Sequence, residues 1–297
     1  MKFLYSAFLI LFLTLTGCSE KPEEVYLPNI VKVEKTVKEY TFAVHPLHNP
    51  THLFEIFNPL VQYLNKRIPN AHFKLEASRD YASFDQKLIN EKVAFALPNP
   101  YQTLIAIDHQ YRVIAKMGDD FNFRGIILVR KDSGIKIPTD LKGKSVSYPA
   151  PTALAATMLP QDFLQRHGLN INKDIKNEYV GSQESAIINV FLGITAAGAT
   201  WPPPWNALSD ERPELKEQLK VIWQTQSLPN NSVVARKDIP EKLALKVQSL
   251  LANLHHTNEG KAILERMYLS KYEMANNDTY WSVQEFITQF DKNVRPL

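Results

Sequence analysis

Little in this chain of 297 residues can crosslink, react or cross a bilayer. It holds a single cysteine, Cys18, so no internal disulfide can form. The formal net charge is only +3 and no dense cluster of Lys and Arg is present, which argues against a nucleic-acid partner. The apolar run Phe3–Leu15, broken by Ser6 and by threonines, has the length of a signal h-region and is too short to span a membrane stably. There is no G-x-S-x-G elbow, no H-E-x-x-H, no G-x-x-x-x-G-K-[ST] phosphate loop and no paired Cys, so no catalytic residue or cofactor is assigned and enzyme activity is not expected. His45, His48 and His52 are spaced as a metal set, but Pro46 and Pro50 leave the first two in a turn and no second cluster completes four ligands; no metal is expected.

What is present is globular: 44% hydrophobic and 22% charged residues, enough chain for one large or two ordinary domains. Residues 1–17 read as a signal segment that is removed. Leu15-Thr16-Gly17-Cys18 resembles the lipobox of bacterial lipoproteins, which implies acylation of Cys18 and anchoring at the periplasmic side of a bacterial membrane. Residues 18–39 are charged and Pro-containing without sustained periodicity, as a tether would be.

The stretch Arg124–Phe163 places two strands, a turn and a helix start in order. Ile126–Arg130 reads as a buried strand, Thr139–Gly143 as a single helical turn and Ser145–Tyr148 as the next strand. That strand runs into Pro149-Ala150-Pro151-Thr152, where Thr152 can cap a helix over Ala153–His167. A strand feeding a helix start presents free N–H groups and the positive end of a helix dipole, a ready anion site.

The same pattern recurs on both sides. Strand Tyr40–Val44, a turn at His45–Pro50, a helix capped by Thr51, strand His72–Glu76, helix Tyr81–Asn90, strand Val93–Leu97 and helix Pro100–Ile107 make one β/α series. Strands near Glu178–Val180 and Ala196–Thr200, with helix Glu184–Leu192 between them, make the second. Gly181-Ser182 forms another strand-to-helix corner, and Trp201–Trp205 a proline-stiffened aromatic one. A helix from Glu214, strands Lys220–Thr225 and Ser232–Arg236, and C-terminal helices follow. The expected architecture is α/β: two lobes, each a mostly parallel sheet covered by helices, with two hinge crossings near Ile126–Arg130 and Ser232–Arg236. Residues 40–126 with 233–297 make one lobe and residues 127–232 the other, and ligand sits at the C-terminal strand ends.

These pieces in this order resemble the phosphate/phosphite/phosphonate family of ABC-transporter substrate-binding proteins, type II periplasmic binding proteins. The resemblance rests on Ser78-Arg79-Asp80-Tyr81, Phe95–Tyr101, Ile127–Gly134, Asp140–Lys144, Gly181-Ser182-Gln183-Glu184 and Leu228–Lys237, and covers about Tyr40 to Met267. It implies that Tyr81 and the Asn99–Tyr101 corner hold an oxyanion together with a helix start in the second lobe. Where the family has a Ser-Thr-Ser run this chain has Ala153-Leu154-Ala155, which leaves backbone N–H groups, Thr152 and Thr157; where the family has a corner His it has Gln183. Family members that take aminoalkylphosphonates carry carboxylates for the ammonium, whereas the Trp201–Trp205 corner and Asn231 carry none, which disfavours an ammonium-bearing ligand.

The candidate ligand-binding set is therefore Tyr81, Asn99, Tyr101, Thr152, Ala153, Leu154, Ala155, Ser182, Gln183, Trp201, His45 and Arg124. Alternatives stay open for several. Tyr81 either donates to the anion or packs on a sheet edge, and Arg124 either forks onto the anion or pairs with Asp119 or Asp120. Trp201 and Trp205 either wall a pocket or anchor their corner, and His45 or His48 lines the cleft mouth. The expected partners are a small anion and an ABC permease, with a monomeric chain held to the membrane by its lipid. The competing reading is the same clamshell as the periplasmic partner of a sensor kinase, without transport.

Overall fold

The computed structural model describes residues 37–297; the expected signal segment, Cys18 and the tether as far as residue 36 lie outside the described residues. The first strand, β1 (Lys38–Val44), starts before the expected Tyr40, because Lys38 and Glu39 continue the pairing with Ala71 and His72 of β2 (Ala71–Glu76). Between them α1 (Pro50–Arg67) buries Leu53, Phe57, Leu60, Val61 and Leu64 on one face and leaves Phe54 43% exposed. Its cap is Asn49 rather than Thr51: the Asn49 side chain accepts from His52 N at 3.1 Å, and Pro50 takes the first helical position where no N–H is needed.

Then come α2 (Tyr81–Ile89), β3 (Phe95–Leu97), α3 (Pro100–Asp108) and β4 (Tyr111–Met117). β4 was not legible in advance, since its apolar run is broken by Arg112 and Lys116. Lys116 is nonetheless 6% exposed, held by Asp120 and Glu273 at 2.7 Å each. The first sheet runs β2-β1-β3-β10-β4-β11, closed by β10 (Ser232–Arg236) and the short β11 (Tyr272–Met274). Helices α8 (Glu241–Ala252), α9 (Asn258–Arg266) and α10 (Trp281–Asn293) belong to the C-terminal part of the chain.

The second sheet runs β7-β6-β8-β5-β9, from β5 (Arg124–Arg130), β6 (Ser145–Tyr148), β7 (Lys176–Tyr179), β8 (Ala197–Thr200) and β9 (Leu219–Ser227). Each sheet is mixed rather than mostly parallel. β1 pairs in parallel with β2 and β3, and β6 with β7 and β8, while the returning strands β10 and β5 enter antiparallel to their neighbours.

Two further corrections concern helix starts. After β6 the chain makes a π-helical turn, Leu154–Met158, before α4 (Leu159–Arg166), and Thr152 does not cap it. Trp201–Trp205 is the opening of a helix, α6 (Pro202–Glu211), because three prolines at its first positions preset the helical φ. α5 (Gln183–Phe191) and α7 (Glu214–Gln218) complete the second lobe.

The expected crossings near Ile126–Arg130 and Ser232–Arg236 are strands inside the two sheets, and the chain crosses just before each of them, side by side through residues 118–123 and 228–231. Leu228 N donates to the Phe123 carbonyl at 3.1 Å, Asn230 Nδ2 to the Gly118 carbonyl at 2.7 Å and Asn230 N to Asp120 Oδ1 at 3.0 Å. A third link was not anticipated. Past α10 the tail reaches back to the second lobe: Asn172 Nδ2 donates to the Val294 carbonyl at 2.8 Å, and Arg295 donates to Gln161 Oε1 at 2.9 Å and to the Pro151 carbonyl. Among the described residues no helix is long and apolar enough to cross a membrane.

Candidate functional site

The C-terminal ends of β1, β3, β6 and β8 converge on one small, tightly closed cavity between the two sheets. Open α/β sheets place ligands at such strand ends. Of the candidates read from the sequence, the cavity brings together His45, Tyr81, Asn99, Ala153, Leu154, Ala155, Gln183 and Trp201. Phe123 and Asn231 of the two crossings and Ala156 complete the wall. All are buried, so the lobes are closed over the space.

The donors come from helix starts. In the turn after β6 the first forward bonds are Thr157 N and Met158 N to the Ala153 carbonyl, at 2.7 and 3.2 Å. Leu154, Ala155 and Ala156 precede these and have no carbonyl one turn earlier, so their N–H groups stand at the cavity wall. The turn is pinned from behind by Gly125: a Cβ there would lie 2.6 Å from the Ala155 carbonyl and 2.7 Å from Pro160. A second start is α5. Ser182 caps it by accepting from Ser185 N at 3.1 Å, which leaves the Gln183 N–H, the first of the helix, toward the cavity. By contrast α6 offers no N–H over Pro202–Pro204, so the Trp201 corner is an apolar wall, with Trp201 edge-on to Phe123 at 5.4 Å.

The side chains are neutral and mutually oriented. Gln183 Oε1 accepts from Thr200 Oγ1 at 2.8 Å, which turns its NH₂ toward the Tyr81 phenol. Burial pushes the Tyr81 pKa far up, so the phenol keeps its proton and remains a donor. Asn99 caps α3 in a capping box with Gln102 and sends Nδ2 to the Thr152 carbonyl at 3.1 Å, across the gap between lobes. His45 Nδ1 faces the Leu97 carbonyl at 2.9 Å, and burial lowers its pKa to about 4, so the imidazole is uncharged. Among the described residues no carboxylate, ammonium or guanidinium lines the cavity.

Four candidates lie elsewhere. Tyr101 packs half-buried against the core beyond the α3 start, and Ser182 is occupied as a cap. Thr152 contributes its carbonyl to Asn99 rather than a hydroxyl to the cavity. Arg124 is tied to Gln224 Oε1 at 2.8 Å and to the Phe121 carbonyl. It forms neither a fork into the cavity nor a pair with Asp119 or Asp120, which are taken by Ser270 and Lys116. Trp205 packs into a small cluster with Leu128 and Ile187 instead of walling the cavity. Thr157 is fully buried and its hydroxyl has no partner among the described residues.

His48 and His52 stack at 4.8 Å in a separate small recess at the rim with Glu184 and Glu211, and His48 Nδ1 lies 3.4 Å from Glu184 Oε1 of the opposite lobe. Burial holds the His48 pKa below its ordinary value. Among the described residues no group of His, Cys, Asp and Glu is arranged to hold a metal. Phe123 was missed as a wall residue because it comes from a crossing, where composition carries no site pattern, whereas Asn231, matched in the sequence to the position where relatives carry a carboxylate, lines the wall.

The family described as ABC transporter, phosphonate, periplasmic substrate-binding protein matches residues 42–280. The phosphonates-binding periplasmic protein of Escherichia coli (strain K12) is 24% identical over 246 residues, covering 79% of this chain and 71% of that protein. Among solved structures, PhnD1 of Prochlorococcus marinus (MIT 9301) in complex with methylphosphonate is similar with a TM-score of 0.79 at 19% identity, covering 86% of this chain and 99% of that one. A binding protein component of an ABC phosphonate transporter from Pseudomonas aeruginosa has a TM-score of 0.78 at 18% identity, covering 86% and 87%. Both share the two-lobed α/β fold.

Proposed function

Because the chain belongs to the family of periplasmic substrate-binding proteins of phosphonate ABC transporters, we propose that it captures a small phosphonate-class oxyanion and delivers it to an ABC permease. The observation that carries this reading is the donor wall: the N–H groups of Leu154, Ala155, Ala156 and Gln183, with the Tyr81 hydroxyl, converge on a cavity that holds no acidic side chain. Helix starts favour negative charge by both their free N–H groups and their dipoles. The apolar wall of Phe123 and Trp201 suits a compact uncharged substituent, and an ammonium would be buried there without a counter-charge.

Binding is a clamshell closure about the two crossings, between the lobe of the first sheet and the lobe of the second, the ligand favouring the closed form by contacts it makes only there. The chain acts as a monomeric binding protein, not an enzyme, and is held by acylated Cys18 at the periplasmic face of the membrane. A thermal-shift panel of phosphate, phosphite, methylphosphonate, 2-aminoethylphosphonate, methanesulfonate and acetate on the purified protein tests the ligand class. A rise in melting temperature with methylphosphonate or phosphite supports it, and a response confined to acetate or to the amino compound removes it. Incorporation of labelled fatty acid that disappears in Cys18→Ser tests the anchor.

A further inference from the structure

The anion cavity contains two acceptors as well as its donors. Asn231 is 1% exposed, and its Nδ2 lies 3.4 Å from Met117 Sδ. A thioether has no hydrogen to give, so the end of the amide that faces it is the NH₂. The other end, Oδ1, is buried at the cavity wall without a partner among the described residues. The orientation is set by the backbone on either side: Asn231 N donates to Asn230 Oδ1 at 2.8 Å, and the Asn231 carbonyl accepts from Met117 N at 2.8 Å. His45 supplies the second acceptor. Its Nδ1 faces a carbonyl, which only accepts, so Nδ1 carries the hydrogen and Nε2 is a bare lone pair.

A lone pair buried against a fully deprotonated oxyanion is repelled, whereas one facing an acidic O–H is satisfied. We infer that the site takes its oxyanion in the singly protonated form, with the ligand's one P–OH donating to Asn231 Oδ1. This rests on the phosphonate reading above and sharpens it. Phosphonates and phosphite keep one proton through a second ionisation near neutral pH, while sulfonates of the same shape carry none. Asn231 Oδ1 therefore rejects sulfonates by chemistry rather than by size, since a site built to bond an O–H leaves its own group unpaired against an analogue that lacks one.

The titratable groups around the pair are His45 and His48 on the chain after β1, Tyr81 and Asp85 on α2, Glu184 on α5, and Lys116 and Asp120 beside Asn230. Asp85, lifted to about 6 by burial, changes charge within the range of interest. A protein group would impose one midpoint on every ligand. The ligand's proton instead moves the midpoint with the ligand.

Calorimetric titration of the purified protein with methylphosphonate, phosphite and methanesulfonate between pH 5.5 and 9 separates these. The expected result is an association constant that is level below the ligand's second ionisation and falls about tenfold per pH unit above it, with the break at lower pH for the more acidic phosphite. Methanesulfonate is expected to bind at least about 100-fold more weakly than methylphosphonate, and in Asn231→Leu that gap narrows to about tenfold or less. The wild-type comparison needs no variant, so a poorly folded Asn231→Leu does not remove the test. Methylphosphonate binding that stays level or tightens through its second ionisation, or methanesulfonate binding within about tenfold of it, overturns the inference and leaves the phosphonate reading standing. Failure of methylphosphonate and phosphite to bind at any pH overturns both.

Discussion

The side-chain amide of Asn99 donates to the main-chain carbonyl of Thr152 at 3.1 Å, so the residue that caps α3 in one lobe also holds the turn that enters the anion cavity from the other. The two roles use different ends of one amide: Oδ1 accepts from Gln102 N and Nδ2 crosses the gap. They can be separated by substitution. Ser caps a helix about as well as Asn but is too short to reach Thr152. Asn99→Ser is expected to leave the melting temperature of the ligand-free protein nearly unchanged and to weaken methylphosphonate by about 0.5–1.5 kcal/mol, read by calorimetry. An unchanged affinity would show that the Thr152 bond does not favour the closed form.

Tyr81 keeps its proton at any physiological pH, because burial opposes phenolate formation, and its hydroxyl lies with the Gln183 amide at the cavity. Tyr81→Phe preserves the ring that meets His45 at 6.0 Å and removes only the donor. The expected loss of ligand affinity is about 1–3 kcal/mol, as for a hydrogen bond to a charged group. No loss would take Tyr81 out of the binding set and leave it as packing.

Arg295 belongs to the tail after α10, yet it bonds the Pro151 carbonyl and Gln161 of the second lobe. If closure forms these bonds, Arg295→Ala shifts the equilibrium toward the open form without touching the cavity. Ligand dissociation is expected to accelerate by about threefold to tenfold in stopped-flow measurements, with a smaller change in association, as interface changes usually act on the off-rate. Identical dissociation rates would mean that the tail bonds persist through opening.

His45 ties stability to pH. Its imidazole is neutral in the folded chain down to about pH 4, while the unfolded side chain takes up a proton below about 6.5. Between those values the unfolded state binds more protons, so stability falls as pH falls from 6.5 toward 4, by up to about 3 kcal/mol. Asp85 works in the opposite direction, since burial raises its pKa to about 6 and its folded form takes up a proton first, adding stability as pH falls from about 6. The wild type thus shows a partly cancelled profile. His45→Asn, which keeps an N–H for the Leu97 carbonyl, is expected to be more resistant to acid than the wild type by denaturant titration at pH 7, 5.5 and 4.5. Parallel curves for the two proteins would remove His45 from the balance.

The β/α alternation was legible because its strand runs and helix faces are local signals: the apolar spacing of α1, the turn before Tyr81 and the Gly181-Ser182 corner before α5 all lie within a few residues of the feature they announce, whereas the capping roles of Asp80 and Ser182 show only in the structure. What escaped was set by distant partners. β4 carries a lysine that only Asp120 and Glu273 make tolerable in a strand interior. The antiparallel pairing follows from where the crossing strands β5 and β10 insert, which no local pattern encodes. In the site, strand ends and helix starts pointed to His45, Tyr81, Asn99, the Ala153–Ala155 turn, Gln183 and Trp201 but also to Tyr101, Thr152 and Ser182, which lie off the cavity wall, while Phe123 reaches it only because the crossings run side by side. Arg124 illustrates the converse, a residue with suitable chemistry that its own neighbours Phe121 and Gln224 hold away.

The turn Leu154–Met158 recognises charge with the peptide chain itself. A main-chain amide survives every substitution except proline, so a changed side chain at Leu154, Ala155 or Ala156 leaves the N–H donor in place wherever the buried packing around it can adjust. Evolution can therefore resculpt the volume beside the bound group while the means of holding it is inherited intact, and relatives sharing this turn are expected to diverge in which substituents they admit long before they cease to favour anions.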